Sequence, residues 1–255
     1  MKQKKSVKNT LATFALLSIL LGGFSLAYIY YFTNWYSASI YYPDFGIYLP
    51  SDYRLHGIDV SHYQQRINWD QVGKMKKNDM RIRFAFMKAT EGQYSMDPYF
   101  FRNWEQCRKQ KIVRGAYHFF DPNGNAVNQA NRFNQLVDLK AGDMPPVLDI
   151  ETETNLSDQE LRKKISQWLQ TVEKHYKVKP IIYTYADYYE DHLAGSFEEY
   201  PLWIAHYTGS RNPRIGRKWH FWQHHENGHV NGIRGNVDFN VFNGSDREFD
   251  KLLLD

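Results

Sequence analysis

Two carboxylates stand two residues apart in an otherwise apolar stretch, Asp149 and Glu151 in PPVLDIETET at 145–154. The stretch predicts a buried strand that begins just after two prolines, which cannot donate to a sheet ladder and are typical of strand starts. Residues two apart on a strand share a face, so both side chains would point the same way, about 7 Å apart. A structural role as helix caps or ion-pair partners is one interpretation. Because two carboxylates on an apolar strand are costly to bury, a chemical role is the other.

Neighbouring carboxyls suit the hydrolysis of a glycosidic bond. One carboxyl must stay protonated to donate to the leaving oxygen, and a second negative group must stabilise the cationic sugar or activate the nucleophile. Glu151 has the longer side chain and lies nearer the strand end, so we predict that it is the general acid. We predict that Asp149 stays ionised and raises the pKa of Glu151 by repulsion.

Aromatic side chains on other strand-like stretches could offer flat faces to sugar rings. The chain holds 19 Tyr, 16 Phe and 7 Trp in 255 residues. Any one of them could instead fill the core, as aromatic residues routinely do. The candidate substrate-binding residues are Tyr117, Tyr183, Tyr185, Trp203, Tyr207 and Trp222.

Strand-like and helical stretches alternate from His56 onward. The clearest helix begins at Ser157, where Ser157 and Glu160 form a capping box. Apolar residues then recur at helical spacing and predict one buried stripe, Leu161, Ile165, Trp168 and Val172. The strand-like stretches are 56–61, 81–90, 113–120, 146–152, 179–186, 201–207, 218–224 and 236–242.

This alternation predicts a parallel sheet, and eight strands predict a closed barrel. The last third departs from it, because 208–217 and 225–235 are short connections rich in Gly, Asn and Pro. Parallel crossovers usually need a dozen or more residues and a helix. We therefore predict an α/β fold, a modified TIM-like (β/α) barrel with eight strands and about five helices, whose last strands are hairpin-linked.

The barrel brings two further acids to the first pair. Asp59 lies near the end of the first strand and Asp238 in the eighth, and these two strands are neighbours in a closed barrel. Active sites of such barrels gather at the C-terminal ends of the parallel strands. Four acids at one mouth are hard to explain by packing, since like charges held close raise the pKa values that catalysis uses. The predicted catalytic residues are Glu151, Asp149, Asp59 and Asp238.

The N-terminal 35 residues predict a membrane-directed segment. The uncharged run 11–32 has about the length that spans a bilayer as a helix, and the lysines before it favour export of the rest of the chain. A cleaved signal peptide is the alternative, because Ser25 and Ala27 offer a small-x-small site. An uncleaved anchor is favoured, because the run continues into an aromatic belt. We predict that 36–54 is a linker and 55–255 the catalytic barrel of a monomeric, extracytoplasmic protein, secreted if the segment is cleaved.

Charge and cysteine content exclude several classes of function. The net charge of +4 comes from four lysines among the first eight residues, which leaves 28 basic and 28 acidic residues. A neutral body does not indicate a nucleic-acid-binding surface. Cys107 is the single cysteine, so no internal disulfide can form.

Neither a metal nor a cofactor is predicted, because adjacent histidines such as His224 and His225 face opposite ways on a strand. Lys88 and Glu91 could lie near the mouth or form a structural ion pair.

A series of motifs in this order resembles the glycoside hydrolase family 25 lysozymes, which are muramidases: GIDVS, FAFMKATEG, DPYF, RGAYHFF, PPVLDIE, PIIYTYADY, PLWIAHY, WHFWQH and VDFN. The resemblance covers about 56–244. It implies a barrel with few helices in its last part and cleavage of the β-1,4 bond between N-acetylmuramic acid and N-acetylglucosamine in peptidoglycan.

The resemblance also implies that Glu151 is the catalytic acid and that Asp149, Asp59 and Asp238 are the other site carboxylates. Gln65 and Lys111 stand where the family usually has glycine, in connections away from the acids. The nucleophile stays open among a protein carboxylate, a water and the 2-acetamido group of the substrate, and the last is favoured because no separate nucleophile stands out. A catalytically idle wall-binding module and a glycosidase for another polysaccharide are the alternative functions.

Overall fold

The computed structural model describes residues 14, 16–31, 39–77, 79–207 and 212–255. Its centre is a closed barrel of eight strands, β3, β5 and β7 to β12, and four further strands lie beside the barrel. The strands are β1 (Ser39–Tyr42), β2 (Ile47–Pro50), β3 (Leu55–Val60), β4 (Lys76–Lys77), β5 (Met80–Glu91), β6 (Ser95–Met96), β7 (Val113–Phe119), β8 (Val147–Asp149), β9 (Ile181–Tyr185), β10 (Leu202–Ala205), β11 (Phe221–Gly228) and β12 (Val237–Phe242).

Seven of the barrel strands run parallel, from β3 through β5 and β7 to β11. The eighth, β12, pairs antiparallel with both β11 and β3 and closes the barrel. The predicted eight-stranded α/β barrel is confirmed. The hairpin prediction is right for β11 and β12 and wrong for β10 and β11, which pair in parallel. A parallel neighbour must begin beside the start of β10. Because β10 has only four residues, the connection 206–220 is long enough to reach that point without a helix.

Helices cross between the parallel strands in the first two thirds of the chain. The helix predicted from Ser157 is confirmed, since its capping box forms and its apolar stripe is buried. Within 39–255 as described there are six α-helical segments, more than the five expected, because short turns add to the longer helices. They are α1 (Trp69–Lys74), α2 (Phe100–Lys109), α3 (Ala126–Leu136), α4 (Asp158–Tyr176), α5 (Ala186–Tyr188) and α6 (Asp246–Asp250), with a 3-10 turn at His62–Gln64 and a π-helical turn at Tyr189–Leu193.

Alternate residues of each strand form two separate cores. The inner core fills the barrel, where Phe86 stacks on Trp203 with ring centroids 4.2 Å apart. Gly57 points inward and leaves room for a ring, since a Cβ there would lie 2.3 Å from Phe84. The outer core lies between the sheet and its helices. This packed interior holds the strand ends, and therefore the acids, in fixed positions.

Gln65 and Lys111, at which the sequence resemblance implied glycine, both adopt a backbone conformation that favours glycine. Gln65 has φ of 52° and Lys111 has φ of 57°. This left-handed region carries a steric cost for residues with a Cβ, which glycine does not have. Both departures therefore cost some stability and leave the acids untouched.

Residues 39–50, predicted to belong to a linker, form a β hairpin of β1 and β2. Phe45 at its turn is fully buried, 5.6 Å from the ring of Phe239 on β12, and its carbonyl accepts a hydrogen bond from the His229 amide at 2.9 Å. Residues 229–236 join β11 to β12 and are too few for a crossover helix. The hairpin supplies the apolar cover that a helix gives elsewhere, and the linker prediction is wrong for this segment.

We expect Phe45→Ala to lower the free energy of unfolding by about 3–5 kcal/mol, because it leaves a cavity over β12. Urea denaturation followed by circular dichroism measures this. Tyr48→Ala is the control on the same hairpin, since Tyr48 is 60% exposed and its pairing with Tyr41 accounts for about 1 kcal/mol. Equal losses in the two variants would contradict the covering role of Phe45.

The N-terminal part of the structure is helical at 16–31, and its side chains are exposed. Among the described residues, no helix combines the length and the apolar character needed to cross a membrane. Residues 1–13, 15 and 32–38, which hold the rest of the predicted anchor and the start of the predicted linker, lie outside the described residues.

Candidate active site

A pocket of about 270 Å³ opens at the C-terminal ends of the parallel strands. The structure brings all four predicted acids to it: Asp59, Asp149, Glu151 and Asp238. Asp59 on β3 and Asp238 on β12 are cross-strand partners in the register of the antiparallel pair. Asp149 ends β8, and Glu151 comes two residues later on the same side.

Asp59 is buried and surrounded by donors. Its Oδ2 accepts hydrogen bonds from Gln223 Nε2 at 2.7 Å and from Asn240 Nδ2 at 2.8 Å. Burial raises the pKa of Asp59 to about 6, and these donors limit the rise. Burial first, and then the charge of Asp59, raise the pKa of Asp238 to about 9. The two carboxyls therefore share one proton near neutral pH, and Asp238 carries it.

Asp149 and Glu151 form a second coupled pair. Burial raises the pKa of both, and for Asp149 the charge of Glu151 adds to the rise. After burial, the repulsion that raises the pKa of Glu151 comes from Asp59. The sequence pattern instead predicts that Asp149 raises the pKa of Glu151 by repulsion. Asp149 lies deeper, so without a partner for its charge it tends to hold a proton itself. Its Oδ1 is buried and accepts no hydrogen bond in the part of the chain that the structure describes.

Lys88 brings a cation into this acidic pocket. Its Nζ lies 2.5 Å from Glu91 and 4.4 Å from the centre of the Phe119 ring, and the side chain is nearly buried. The ammonium lowers the pKa values of Asp149 and Glu151, partly opposing burial. Lys88 is thus both a member of the ion pair with Glu91 and part of the pocket wall.

A second hollow of about 360 Å³ adjoins the pocket. Glu151, Tyr183 and Tyr207 border both hollows. Its far wall comes from the end of β9 and from α5, through Tyr185 and Asp187. A chain-like ligand that fills both hollows would pass directly over Glu151.

The model of the family described as Glycosyl hydrolases family 25 matches residues 58–233. The chain belongs to this family. Lysozyme M1 of Streptomyces globisporus is 34% identical over an alignment of 212 residues, which covers 75% of this chain and 68% of that protein. The uncharacterized protein YegX of Escherichia coli (strain K12) is 53% identical over 204 residues, 80% of this chain and 75% of YegX.

Solved structures of family 25 share the fold. A family 25 glycosyl hydrolase from Bacillus anthracis matches with a TM-score of 0.74 at 31% identity, over 81% of this chain and 96% of that one. A family 25 lysozyme from Aspergillus fumigatus matches with a TM-score of 0.67 at 26% identity, over 79% of this chain and 99% of that one. The resemblance seen in the sequence motifs is confirmed, and the chain is a glycoside hydrolase of family 25.

The predicted aromatic residues divide into three groups on this family 25 barrel. Tyr117, Tyr183, Trp203 and Tyr207 line the pocket, and of these Tyr207 is 46% exposed while the other three are buried in its floor and walls. Tyr185 lines the second hollow and donates to Glu153 at 3.0 Å.

Trp222 does not reach either hollow. It is 2% exposed and packs in the outer core, where its Nε1 donates to the His206 carbonyl at 2.9 Å. Side chains alternate along β11, so Phe221 and Gln223 point into the barrel and Trp222 points out. The prediction that Trp222 binds substrate is wrong for this reason.

Sequence reasoning missed two polar residues of the family 25 site, Gln223 and Asn240. Asn240 lies two residues after Asp238 on β12, so strand alternation could have found it. Gln223 lies between Trp222 and His224, and nothing in its local sequence indicates a place in the site. The exposed Tyr63, in the 3-10 turn after β3, is a further unpredicted residue at the rim, 78% exposed. Among the described residues, no group of three or more His, Cys, Asp or Glu side chains is arranged to hold a metal ion.

Proposed function

We propose that the chain is a muramidase, which hydrolyses the β-1,4 bond between N-acetylmuramic acid and N-acetylglucosamine in peptidoglycan. The observation that carries this is the place of Glu151, at the junction of two hollows and two residues from Asp149, in a family 25 barrel. A glycan that lies across both hollows presents its glycosidic oxygen to Glu151. Lysozyme M1, one of the relatives, is named for this type of activity.

In this proposal Glu151 donates its proton to the leaving oxygen. Its raised pKa keeps the carboxyl protonated at a pH where an ordinary glutamate is ionised. Its partial exposure lets the proton reach a bound sugar, and the buried position of Asp149 does not. Asp59, Asp149 and Asp238 are the other proposed catalytic carboxyls.

We assign Asp149 to the 2-acetamido group of the substrate. A donor that reaches its unpaired Oδ1 stabilises the ionised carboxylate and lowers the pKa of Asp149. The amide N–H of the acetamido group is such a donor. When the substrate binds, Asp149 is ionised and Glu151 keeps its proton. The acetamido oxygen then attacks the anomeric carbon, and the anionic Asp149 stabilises the positive charge that forms.

The stereochemistry of the product separates this route from one alternative. Attack by the acetamido group and then by water retains the β configuration, whereas direct attack by water inverts it. Proton NMR of the first reducing ends released reads the anomer. An α product would exclude both the acetamido route and a protein nucleophile.

The proposed binding residues line both sides of Glu151. Tyr207 and Tyr185 offer rings at the rim of the second hollow, while Tyr117, Tyr183 and Trp203 shape the floor and walls. We propose that the chain acts as a monomer. Light scattering on the purified protein tests that state.

The site of action that fits peptidoglycan is outside the cytoplasm. We propose that the segment 1–35 directs export and remains as an anchor, on the basis of its lysines and the apolar run after them. Membrane fractionation and mass spectrometry of the mature N-terminus test this. A soluble product that begins after Ala27 would replace the anchor with a cleaved signal peptide.

Digestion of purified peptidoglycan by the full chain tests the proposed activity. New reducing ends on muramic acid are the expected product. Activity on chitin or a plant glycan alone would favour a glycosidase for another polysaccharide. Binding to peptidoglycan without any release of reducing ends would favour a wall-binding module.

A further inference from the structure

Asp59 is held by two side-chain amides whose orientation is fixed by aromatic donors. The indole Nε1 of Trp203 donates to Asn240 Oδ1 at 2.8 Å. An indole N–H can only donate, so the carbonyl oxygen of Asn240 must face Trp203 and its NH₂ must face Asp59. Asp59 Oδ2, 2.8 Å from that NH₂, is therefore an acceptor and carries no proton.

Gln223 repeats this arrangement from the neighbouring strand β11. Its Oε1 accepts from the hydroxyls of Tyr183 at 2.8 Å and Tyr207 at 2.5 Å. Its Nε2 is then free to donate to the same Oδ2 of Asp59 at 2.7 Å. Two buried amides thus favour a negative charge on one chosen oxygen.

The remaining groups around Asp59 decide where the proton of the acidic cluster lies. Asp238 on β12 hydrogen-bonds to Asp59, and the two carboxyls cannot both be ionised at low cost. Because both amides donate to Oδ2, they stabilise the ionised form of Asp59 and favour the shared proton on Asp238. The other charged and titratable groups that line the pocket are Glu226 on β11, Asp149 on β8, Glu151 just after β8, Lys88 on β5, Tyr63 in the 3-10 turn after β3, Tyr117 on β7, Tyr183 on β9 and Tyr207 after β10.

We propose that Gln223 and Asn240 are positioning residues, which hold Asp59 as the ionised member of the Asp59–Asp238 pair so that its charge keeps Glu151 protonated. This rests on the proposed role of Glu151 as the proton donor. It gives Tyr183, Trp203 and Tyr207 a role besides contact with sugars, because their polar atoms orient the two amides. Asp59 then acts on Glu151 through its charge.

Asn240→Leu and Gln223→Met in the full chain each remove one donor. The ionised form of Asp59 loses stabilisation, so its pKa rises above about 6 and the acid limb of kcat/KM moves up. Asp59 is still ionised at the higher pH where Glu151 loses its proton, so the basic limb stays in place. We expect the acid limb of the pH profile for release of reducing ends to move up by about one pH unit.

Asn243→Leu is the matched control. Asn243 comes directly after β12 at the opposite end of the barrel, is exposed and donates to the Trp219 carbonyl at 3.1 Å. Its profile should keep both limbs. A purely structural role for the amides would lower the rate of folded variants and leave both limbs in place, which would overturn the proposal. If Asn240→Leu does not fold, Gln223→Met decides, since it leaves the bond between Trp203 and Asn240 intact.

Carbon-13 NMR titration of the Asp59 carboxyl separates this inference from the proposed activity, because it needs no turnover. A higher titration midpoint of Asp59 in either folded variant supports the role of the amides, even if the wild-type chain releases no reducing ends from peptidoglycan. An unchanged midpoint in folded variants overturns it, even if the chain is a muramidase.

Discussion

Glu151→Gln is expected to reduce kcat for peptidoglycan hydrolysis roughly a hundred- to ten-thousand-fold, the contribution of a positioned general acid. The amide has nearly the same shape and can still donate a hydrogen bond, but it cannot transfer a proton to the leaving oxygen. KM and the affinity for glycan should therefore change little. Release of reducing ends measures kcat and KM, and co-sedimentation with insoluble peptidoglycan measures the affinity for glycan.

Glu153→Gln is the matched control for this variant. Glu153 lies two residues further along and accepts a hydrogen bond from Tyr185, which glutamine can also accept. It should keep the wild-type rate. If Glu151→Gln retains more than a tenth of the wild-type kcat, another group supplies the proton and the assignment of Glu151 is lost.

Asp149→Asn is expected to lower kcat by about 10²–10³, because a fixed charge that stabilises the transition state is removed. The substitution also places an NH₂ or a neutral oxygen where the unpaired Oδ1 now lies. The acetamido group then loses an anionic partner just when it becomes positively charged. Steady-state kinetics on a soluble peptidoglycan oligosaccharide measure the loss.

A substrate analogue tests the same step from the other side. An oligosaccharide with a hydroxyl in place of the 2-acetamido group should be a poor substrate for the wild type. It should also lose little further rate in Asp149→Asn, since the partner of Asp149 is already missing. Additive losses would mean that Asp149 acts elsewhere, for example as a base toward water. Asp138→Asn, at an exposed position outside the pocket, controls for the charge change.

The barrel and its four acids could be predicted because they depend on local patterns. Two-residue alternation places Asp149 and Glu151 on one face, and closure of the barrel brings Asp59 beside Asp238. The same alternation would have excluded Trp222 and included Asn240. Residue type alone favours Trp222 over Asn240, whereas the inward face of β11 and β12 carries Gln223 and Asn240.

Other features depended on distant contacts and could not be predicted locally. The hairpin at 39–50 has two short strands without a clear period, and its burial rests on Phe239, far along the chain. The parallel pairing of β10 with β11 depends on how a connection folds back, which composition does not reveal. The raised pKa of Glu151 comes first from burial and then from the charge of Asp59 across the mouth, and neither is visible in the local sequence.

The hairpin of β1 and β2 also sets the true start of the folding unit. A recombinant fragment that begins at residue 50 or 55 would uncover Phe239 and the neighbouring apolar surface of β12. A bare apolar strip along a strand of this kind promotes self-association. A fragment for crystallisation, or a domain exchange between family 25 enzymes, should therefore keep the chain from Ser39 onward, so that the β1–β2 hairpin still covers β12.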